Sequence, residues 1–275
     1  MKSTLTPAQI EAYRRDGYVA VPDFLDADEL AVWRTAVDEA LRIRGSRKIP
    51  GGDATAGDSY YDNVFIQRLN LWQTDVRMKS LILDERIGRM CCELEGLDAI
   101  RVWHDQALVK RPWDNPTAWH LDDPYWSFDS SQAISIWIAL DDATRDNGCL
   151  YFLPGSHRLA RFETVGIGEN MKDLFKMYPA MGQIPSVAAP LPAGGCSFHN
   201  GLTAHGAGAN MTIGWRRAMT CAFMPDGCLF NGKKNILSKE QFERLKIGDP
   251  LVDDHQNPIV YARPGKGRRT VPESP

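Results

Sequence analysis

The sequence has no long hydrophobic run. Its longest nearly apolar stretch covers residues 133–140 and is interrupted by Ser135, far short of the about 20 residues a membrane helix needs. It has no excess of positive charge. Lys and Arg number 32 against 35 Asp and Glu, a net charge of −3, so no basic field exists to hold nucleic acid or an anionic membrane, and neither is expected as a partner. It has no CxxC pair. The six cysteines, at 91, 92, 149, 196, 221 and 228, are irregularly spaced, which argues against a cysteine-built zinc site and for reduced thiols. The opening residues MKSTLTPAQIEAYRRDG lack the apolar core of an export signal. The expectation is a cytoplasmic protein with no obligate protein partner. There is no internal repeat and no low-complexity tract. Hydrophobic residues make up 43% and charged residues 24%, which is enough apolar material to pack a core and excludes disorder of the whole chain.

The first part of the chain reads as helical. Thr6-Pro7-Ala8-Gln9 is a helix start with a capping box, and Gly17 ends that helix. The run YVAV over 18–21 is β-prone, and Asp26 caps a second helix with Leu30, Trp33, Val37 and Leu41 on one face. Residues 45–59 are rich in Gly, Ser and Asp and read as a loop; residues 76–95 read as helical again. From about residue 99 short β-rich runs alternate with turns: AIRVWHDQALVKR, QAISIWIAL, CLYFLP, CSFHN and RAMTCAFMP. Strands at this spacing predict a β-sandwich or barrel. Residues 160–185 interrupt it as an irregular insertion. After about 226 the strand signals fade, Ser238 opens a short capped helix, and the last dozen residues have the composition of a frayed tail.

Two of the six histidines have informative neighbours. His120-Leu121-Asp122 is an H-x-D; in an extended segment residues two apart share a face, so imidazole and carboxylate would project together, with Asp123 turned away. That is two-thirds of a 2-His-1-carboxylate triad, which leaves open positions on Fe(II). The third ligand must come from a later strand. His205 is favoured because Arg216, placed to clamp a carboxylate, lies eleven residues beyond it. His199 competes for the role, although Gly201 makes one unbroken strand through both histidines doubtful. A surface charge beside Arg217 is the plain alternative for Arg216.

The order H-x-D, distant His, then Arg resembles the phytanoyl-CoA dioxygenase family of Fe(II)/2-oxoglutarate-dependent oxygenases. The blocks LTPAQIEAYRRDGYVAVPDFLDADEL, HDQALVKRPWDNPTAWHLDDPYW, DNGCLYFLPGSHR and FHNGLTAHGAGAN occur in that family's order across roughly residues 5–225. The resemblance implies a mainly β fold with flanking helices and a double-stranded β-helix core, a jelly roll of the cupin-like kind. The chain is then one oxygenase domain over 1–275: a helical part over about 1–98, the jelly-roll core over about 99–225, and a C-terminal cover and tail over about 226–275. The metal ligands fall on His120, Asp122 and His205, and the 2-oxoglutarate clamp on Arg216. Trp137 and Gln106 match residues lining the cosubstrate pocket. Many members carry Ser two residues after the distal histidine; here Ala207 stands, so one hydroxyl contact to the cosubstrate is absent or replaced by water.

The implied cofactors are Fe(II), 2-oxoglutarate as cosubstrate and O2. The implied reaction couples decarboxylation of 2-oxoglutarate to oxidation of a C–H bond. Asp122 occupies a position where related halogenases carry Gly or Ala, so hydroxylation or another oxidation, rather than halogenation, is expected. Tyr125, Trp126 and Phe128 follow the ligand region and are candidates for a substrate wall, with core packing as the alternative. An aromatic wall suits a small apolar or ring-containing metabolite or natural product. The competing functions are a cupin-like metal isomerase, a 2-oxoglutarate-independent dioxygenase, and a non-catalytic metal-binding jelly roll. One or both of the long segments 45–59 and 160–185 are expected to border the mouth of the pocket, next to Tyr125 and Trp126, as lids.

Overall fold

The computed structural model describes residues 1–44 and 63–265; the glycine-rich segment 45–59 and the tail from 266 lie outside the described residues. Helix α1 (Pro7–Asp16) begins as its cap dictates: Thr6 Oγ1 accepts the Gln9 amide at 3.2 Å and Gln9 Oε1 accepts the Thr6 amide at 2.9 Å. It ends at Gly17, whose φ of 80° is left-handed. A Cβ there would lie 2.4 Å from both His157 Nδ1 and Thr203 Oγ1, so only glycine fits between α1 and the next strand. Strand β1 (Tyr18–Val21) follows. Asp26 and Glu29 then form a second reciprocal cap for α2 (Ala27–Arg44), which buries Leu30, Trp33 and Val37.

Strand β2 (Ile66–Leu69) leads into two helices where one was expected over 76–95: α3 (Val76–Ile82) and α4 (Glu85–Glu95). The break has a local cause. Asp84 accepts the Arg86 amide and caps α4, and a side chain bonded to its own backbone competes with continuation of the preceding helix.

The remaining strands are β3 (Ala99–Lys110), β4 (Thr117–His120), β5 (Ile134–Ala139), β6 (Leu150–Phe152), β7 (Val187–Ala189), β8 (Cys196–Asn200), β9 (His205–Ala207), β10 (Arg216–Pro225) and β11 (Ile259–Ala262). They form two antiparallel sheets. The seven-stranded sheet runs β1-β8-β5-β10-β3-β11, with β2 also on β3; the four-stranded sheet runs β4-β9-β6-β7. This is the jelly-roll core. Short helices α5 (Asp173–Met177) and α6 (Lys239–Arg244) lie in the insertion and the C-terminal cover. Strand β11 was not anticipated. It is a four-residue edge strand paired to the start of β3, too short for its pattern to separate it from a loop.

Alternation along β5 divides the molecule. Ile134, Ile136 and Ile138 join the core beneath α1–α4, while Ser135 and Trp137 face a cavity between the sheets. All six cysteines are unbridged, and all but the half-buried Cys228 are buried.

Glu95 ties this layer together by accepting the Tyr13 hydroxyl from α1 and the Asn200 amide of β8. Burial pushes its carboxyl up from 4.5 to about 7. The folded chain therefore holds a proton there that the unfolded chain releases near 4.5, so this group's contribution to stability falls as pH rises from about 4.5 to 7 and is level above. Glu95→Gln should flatten that fall. Urea unfolding at several pH values across the window checks it; an unchanged slope in the variant refutes it.

Candidate active site

His120 and His205 are direct cross-strand partners on β4 and β9. Their ring centroids are 4.2 Å apart. His120 Nδ1 lies 2.8 Å from the Ala118 carbonyl and His205 Nδ1 3.0 Å from the Thr203 carbonyl. A carbonyl only accepts, so both Nδ1 atoms carry the proton and both Nε2 lone pairs face the site. Asp122 comes from beyond the end of β4. Its backbone is helical (φ −82°, ψ −52°) and opens the 3-10 turn 123–125, so the extended H-x-D expected from the sequence is absent. The side chains converge regardless, because the Asp122 and Asp123 amides both donate to the Gly201 carbonyl at 2.9 Å. Asp122 Oδ1 stands 3.6 Å from His120 Nε2 and 3.7 Å from His205 Nε2. Among the described residues these three form the set whose donor atoms all lie within 4.8 Å of one another.

Burial and mutual proximity push the His120 imidazole down to about 4, and burial does the same for His205. Burial opposes ionisation of Asp122, but His205, His199 and His120 around it outweigh burial and hold it below the usual carboxylate range. Neutral imidazoles and an ionised carboxylate are the protonation states a divalent cation requires. Asp123 is different: fully buried, with its carboxyl pushed up to about 8 by that burial.

His199 is not in the set. Its Nε2 lies 3.3 Å from Asp122 Oδ2, the oxygen turned away from the other two imidazoles.

The same cavity, about 330 Å³, extends to Arg216. The Arg216 side chain is 2% exposed, and its guanidinium makes one long hydrogen bond, 3.4 Å to the Leu108 carbonyl. Its Nε has no partner and no carboxylate lies within ion-pair distance among the described residues. Burial lowers its pKa to about 10, so it stays charged. Trp137 lies under it at 5.3 Å. Arg217, by contrast, is spent on Asp141 and Asp38. A buried cation without an anion is costly unless a ligand supplies one; the donor set fits a carboxylate next to a metal.

Gln106 lines the cavity and accepts from Gln67. Tyr125 and Trp126 form part of the opposite wall, but Phe128 does not. It is fully buried and packs edge-on against Trp103 with 5.1 Å between centroids, a core role. The segment 160–185 does reach the mouth: Ile167 lines the cavity, Thr164 donates to the Pro124 carbonyl at 2.8 Å and the Tyr125 hydroxyl donates to Val165. It is no loose flap, since Leu174, Tyr178 and Met181 are buried in their own cluster with Leu121 and Leu153. His104 and Asn235 were missed. His104 was within reach of strand alternation, since 104, 106 and 108 share the inward face of β3. Asn235 comes from the C-terminal cover, where the sequence holds no such signal.

The profile of phytanoyl-CoA dioxygenase (PhyH) matches residues 13–218. The chain belongs to the phytanoyl-CoA dioxygenase family. This family consists of oxygenases dependent on Fe(II), 2-oxoglutarate and O2. Among relatives, dioxygenase lolE1 of Epichloe uncinata is 30% identical over 162 residues, 55% of this chain and 59% of that protein. Among solved structures, the non-heme alpha-ketoglutarate-dependent carbocyclase SnoK of nogalamycin biosynthesis superposes with a TM-score of 0.78 at 28% identity, over 94% of this chain and 98% of that one. The epimerase SnoN, in complex with Fe3+, alpha-ketoglutarate and nogalamycin RO, gives 0.74 at 28%, over 92% and 97%. No helix among the described residues is long and apolar enough to cross a membrane.

The two adjacent aspartates should separate cleanly. Asp122→Asn should remove Fe(II) binding, whereas Asp123→Asn, buried and facing away, should keep it within a few-fold. Anaerobic Fe(II) titration of both variants decides; loss in Asp123→Asn alone would reverse the assignment.

Proposed function

We propose that this family member binds Fe(II) on His120, Asp122 and His205 and 2-oxoglutarate on Arg216, and hydroxylates an unactivated C–H bond of a small, neutral, ring-containing or apolar metabolite or natural product. The observation that carries this reading is a neutral-imidazole, ionised-carboxylate cluster sharing one cavity with a buried arginine that lacks an anion. When bound, the metal and cosubstrate supply the oxidising power that C–H cleavage needs. The chain supplies the rest. Arg216 pairs the far carboxylate of 2-oxoglutarate, with Trp137 fixing the guanidinium plane. The Nδ1 bonds to Ala118 and Thr203 hold both imidazoles in one tautomer. Tyr125, Trp126 and the Ile167 segment wall the substrate side and exclude water, which protects the reacting centre from side reactions.

A neutral substrate follows from the lining. Among the described residues, Arg216 is the only lysine or arginine and Asp122 the only aspartate or glutamate that line the cavity; the cosubstrate takes the first and the metal the second, which leaves no fixed charge to pair with a charged substrate. The polar groups left on the substrate side, His104 and Asn235, suit a hydroxyl or carbonyl rather than a phosphate.

A second outcome of the same chemistry is favoured by the near full-length likeness to SnoK and SnoN, a carbocyclase and an epimerase. Succinate release that requires both Fe(II) and 2-oxoglutarate tests the class, and mass spectrometry of the co-product tests the outcome. One added oxygen means hydroxylation, loss of two hydrogens ring closure, and an unchanged mass epimerisation. Succinate formed without 2-oxoglutarate-dependent consumption of a substrate from a broad neutral library would leave the hydroxylase reading without support.

Arg216→Lys keeps the charge but loses the planar fork. It should raise the KM for 2-oxoglutarate by about 10-fold or more, corresponding to about 1.4 kcal/mol or more, with Fe(II) affinity little changed. An unaltered KM would remove Arg216 from the cosubstrate site.

A further inference from the structure

The triad reading leaves one buried histidine of the cavity without a role. His199 lies on β8 and Ser135 on β5, and the two are cross-strand partners in the seven-stranded sheet. Both project into the cavity, and both reach the same atom. Ser135 Oγ donates to Asp122 Oδ2 at 3.0 Å, and His199 Nε2 lies 3.3 Å from it. The other carboxylate oxygen, Oδ1, faces His120 and His205. The four-stranded sheet thus supplies the two imidazoles, the turn after β4 supplies the carboxylate, and the seven-stranded sheet holds the back of that carboxylate.

Chemistry fixes the direction of these bonds. An ionised carboxylate only accepts, so His199 Nε2 must carry its proton. In the neutral ring Nδ1 then bears a lone pair, and it is buried without a partner; the imidazole and the Phe152 ring have centroids 5.5 Å apart. His199 cannot also present a lone pair at Nε2 to a metal in this arrangement.

We propose that His199 and Ser135 are positioning residues that aim Asp122. By engaging Oδ2 with two donors they leave Oδ1 alone to coordinate, so that Asp122 takes one position on the metal and not two. A carboxylate that gave the metal one oxygen would leave open positions on it for the cosubstrate and a further ligand, as a facial triad requires. Asp122 needs such support. It sits past the end of β4, in a turn, with its side chain 22% exposed, while the two histidines are anchored on paired strands.

This inference rests on the triad reading, and the test separates the two. Fe(II) affinity is measured anaerobically for the wild-type chain, His199→Phe, His199→Gln and Ser135→Ala, and the charge-transfer absorption of the Fe(II)–2-oxoglutarate complex is recorded for each. Thermal unfolding of the metal-free proteins reports on the fold. His199→Phe fills the space without a donor and should weaken Fe(II) binding about 10- to 100-fold, the usual effect of losing an outer hydrogen-bond partner, and shift the absorption band. His199→Gln restores an N–H and should recover most of both. Ser135→Ala acts on the same oxygen from the other strand and should show a smaller loss in the same direction, which keeps the test alive if His199→Phe does not fold. Wild-type affinity and an unshifted band in a folded His199→Phe overturn the inference while the triad stands. X-ray absorption showing three imidazoles on the wild-type metal also overturns it, by making His199 a ligand. Absence of Fe(II) binding in the wild-type chain fails the triad reading itself.

Discussion

The short antiparallel pairing of β4 with β9 is the contact on which the site depends. It places His120 opposite His205, and in each case the carbonyl two residues back along the chain accepts the Nδ1–H and turns Nε2 inward. The approach is close. A Cβ on Gly206 would lie 2.8 Å from the Thr117 carbonyl, so the residue after His205 must have no side chain. The pairing is irregular between Thr117 and His120, and the chain leaves β4 at once into the turn that carries Asp122. Backbone hydrogen bonds therefore orient both imidazoles, and the Gly201 carbonyl holds the turn that carries Asp122.

Charge is distributed in the opposite way to what stability alone favours. Arg216 and Lys110 are cross-strand partners on β10 and β3 and both are buried. Lys110 is satisfied by the Val64 and Asn115 carbonyls at 2.9 and 2.6 Å, and burial with Arg216 nearby pushes its ammonium down to about 7. Arg216 has only the long bond to Leu108. Of two adjacent buried cations, the fold satisfies the one outside the cavity and leaves the one inside it short of an anion. Unpaired buried charge is destabilising, and its place beside the donor cluster is what makes it informative about a ligand.

Much of the local structure was legible because its causes are local. All three reciprocal caps, at Thr6, Asp26 and Ser238, lie within four residues of sequence, and the terminating Gly17 needs only its own φ. The alternation of β5 was written in its isoleucines. Where local signals competed, the sequence was ambiguous: Asp84 could continue a helix or cap a new one, and Phe128 could face a cavity or a core. His120, Asp122 and His205 were named from the H-x-D, the spacing to Arg216 and the order of blocks, and the structure brings their donor atoms together. The backbone argument used for the first two did not hold, since Asp122 is in a turn and not in a strand.

The sequence by itself determined the capped helices α1, α2 and α6, most strands of the core and the family. These follow from spacing and residue type, which are properties of neighbours along the chain. Only the tertiary structure decided that Arg216 reaches the cavity with its Nε unpartnered, that His199 meets Asp122 from behind, and that Asn235 lines the same cavity. Each of these depends on which strands lie opposite one another. Such pairings join residues tens of positions apart through register and sheet packing, and a one-residue slip would turn every side chain of a strand to the other face. No local pattern encodes that choice; the packing of the two sheets does.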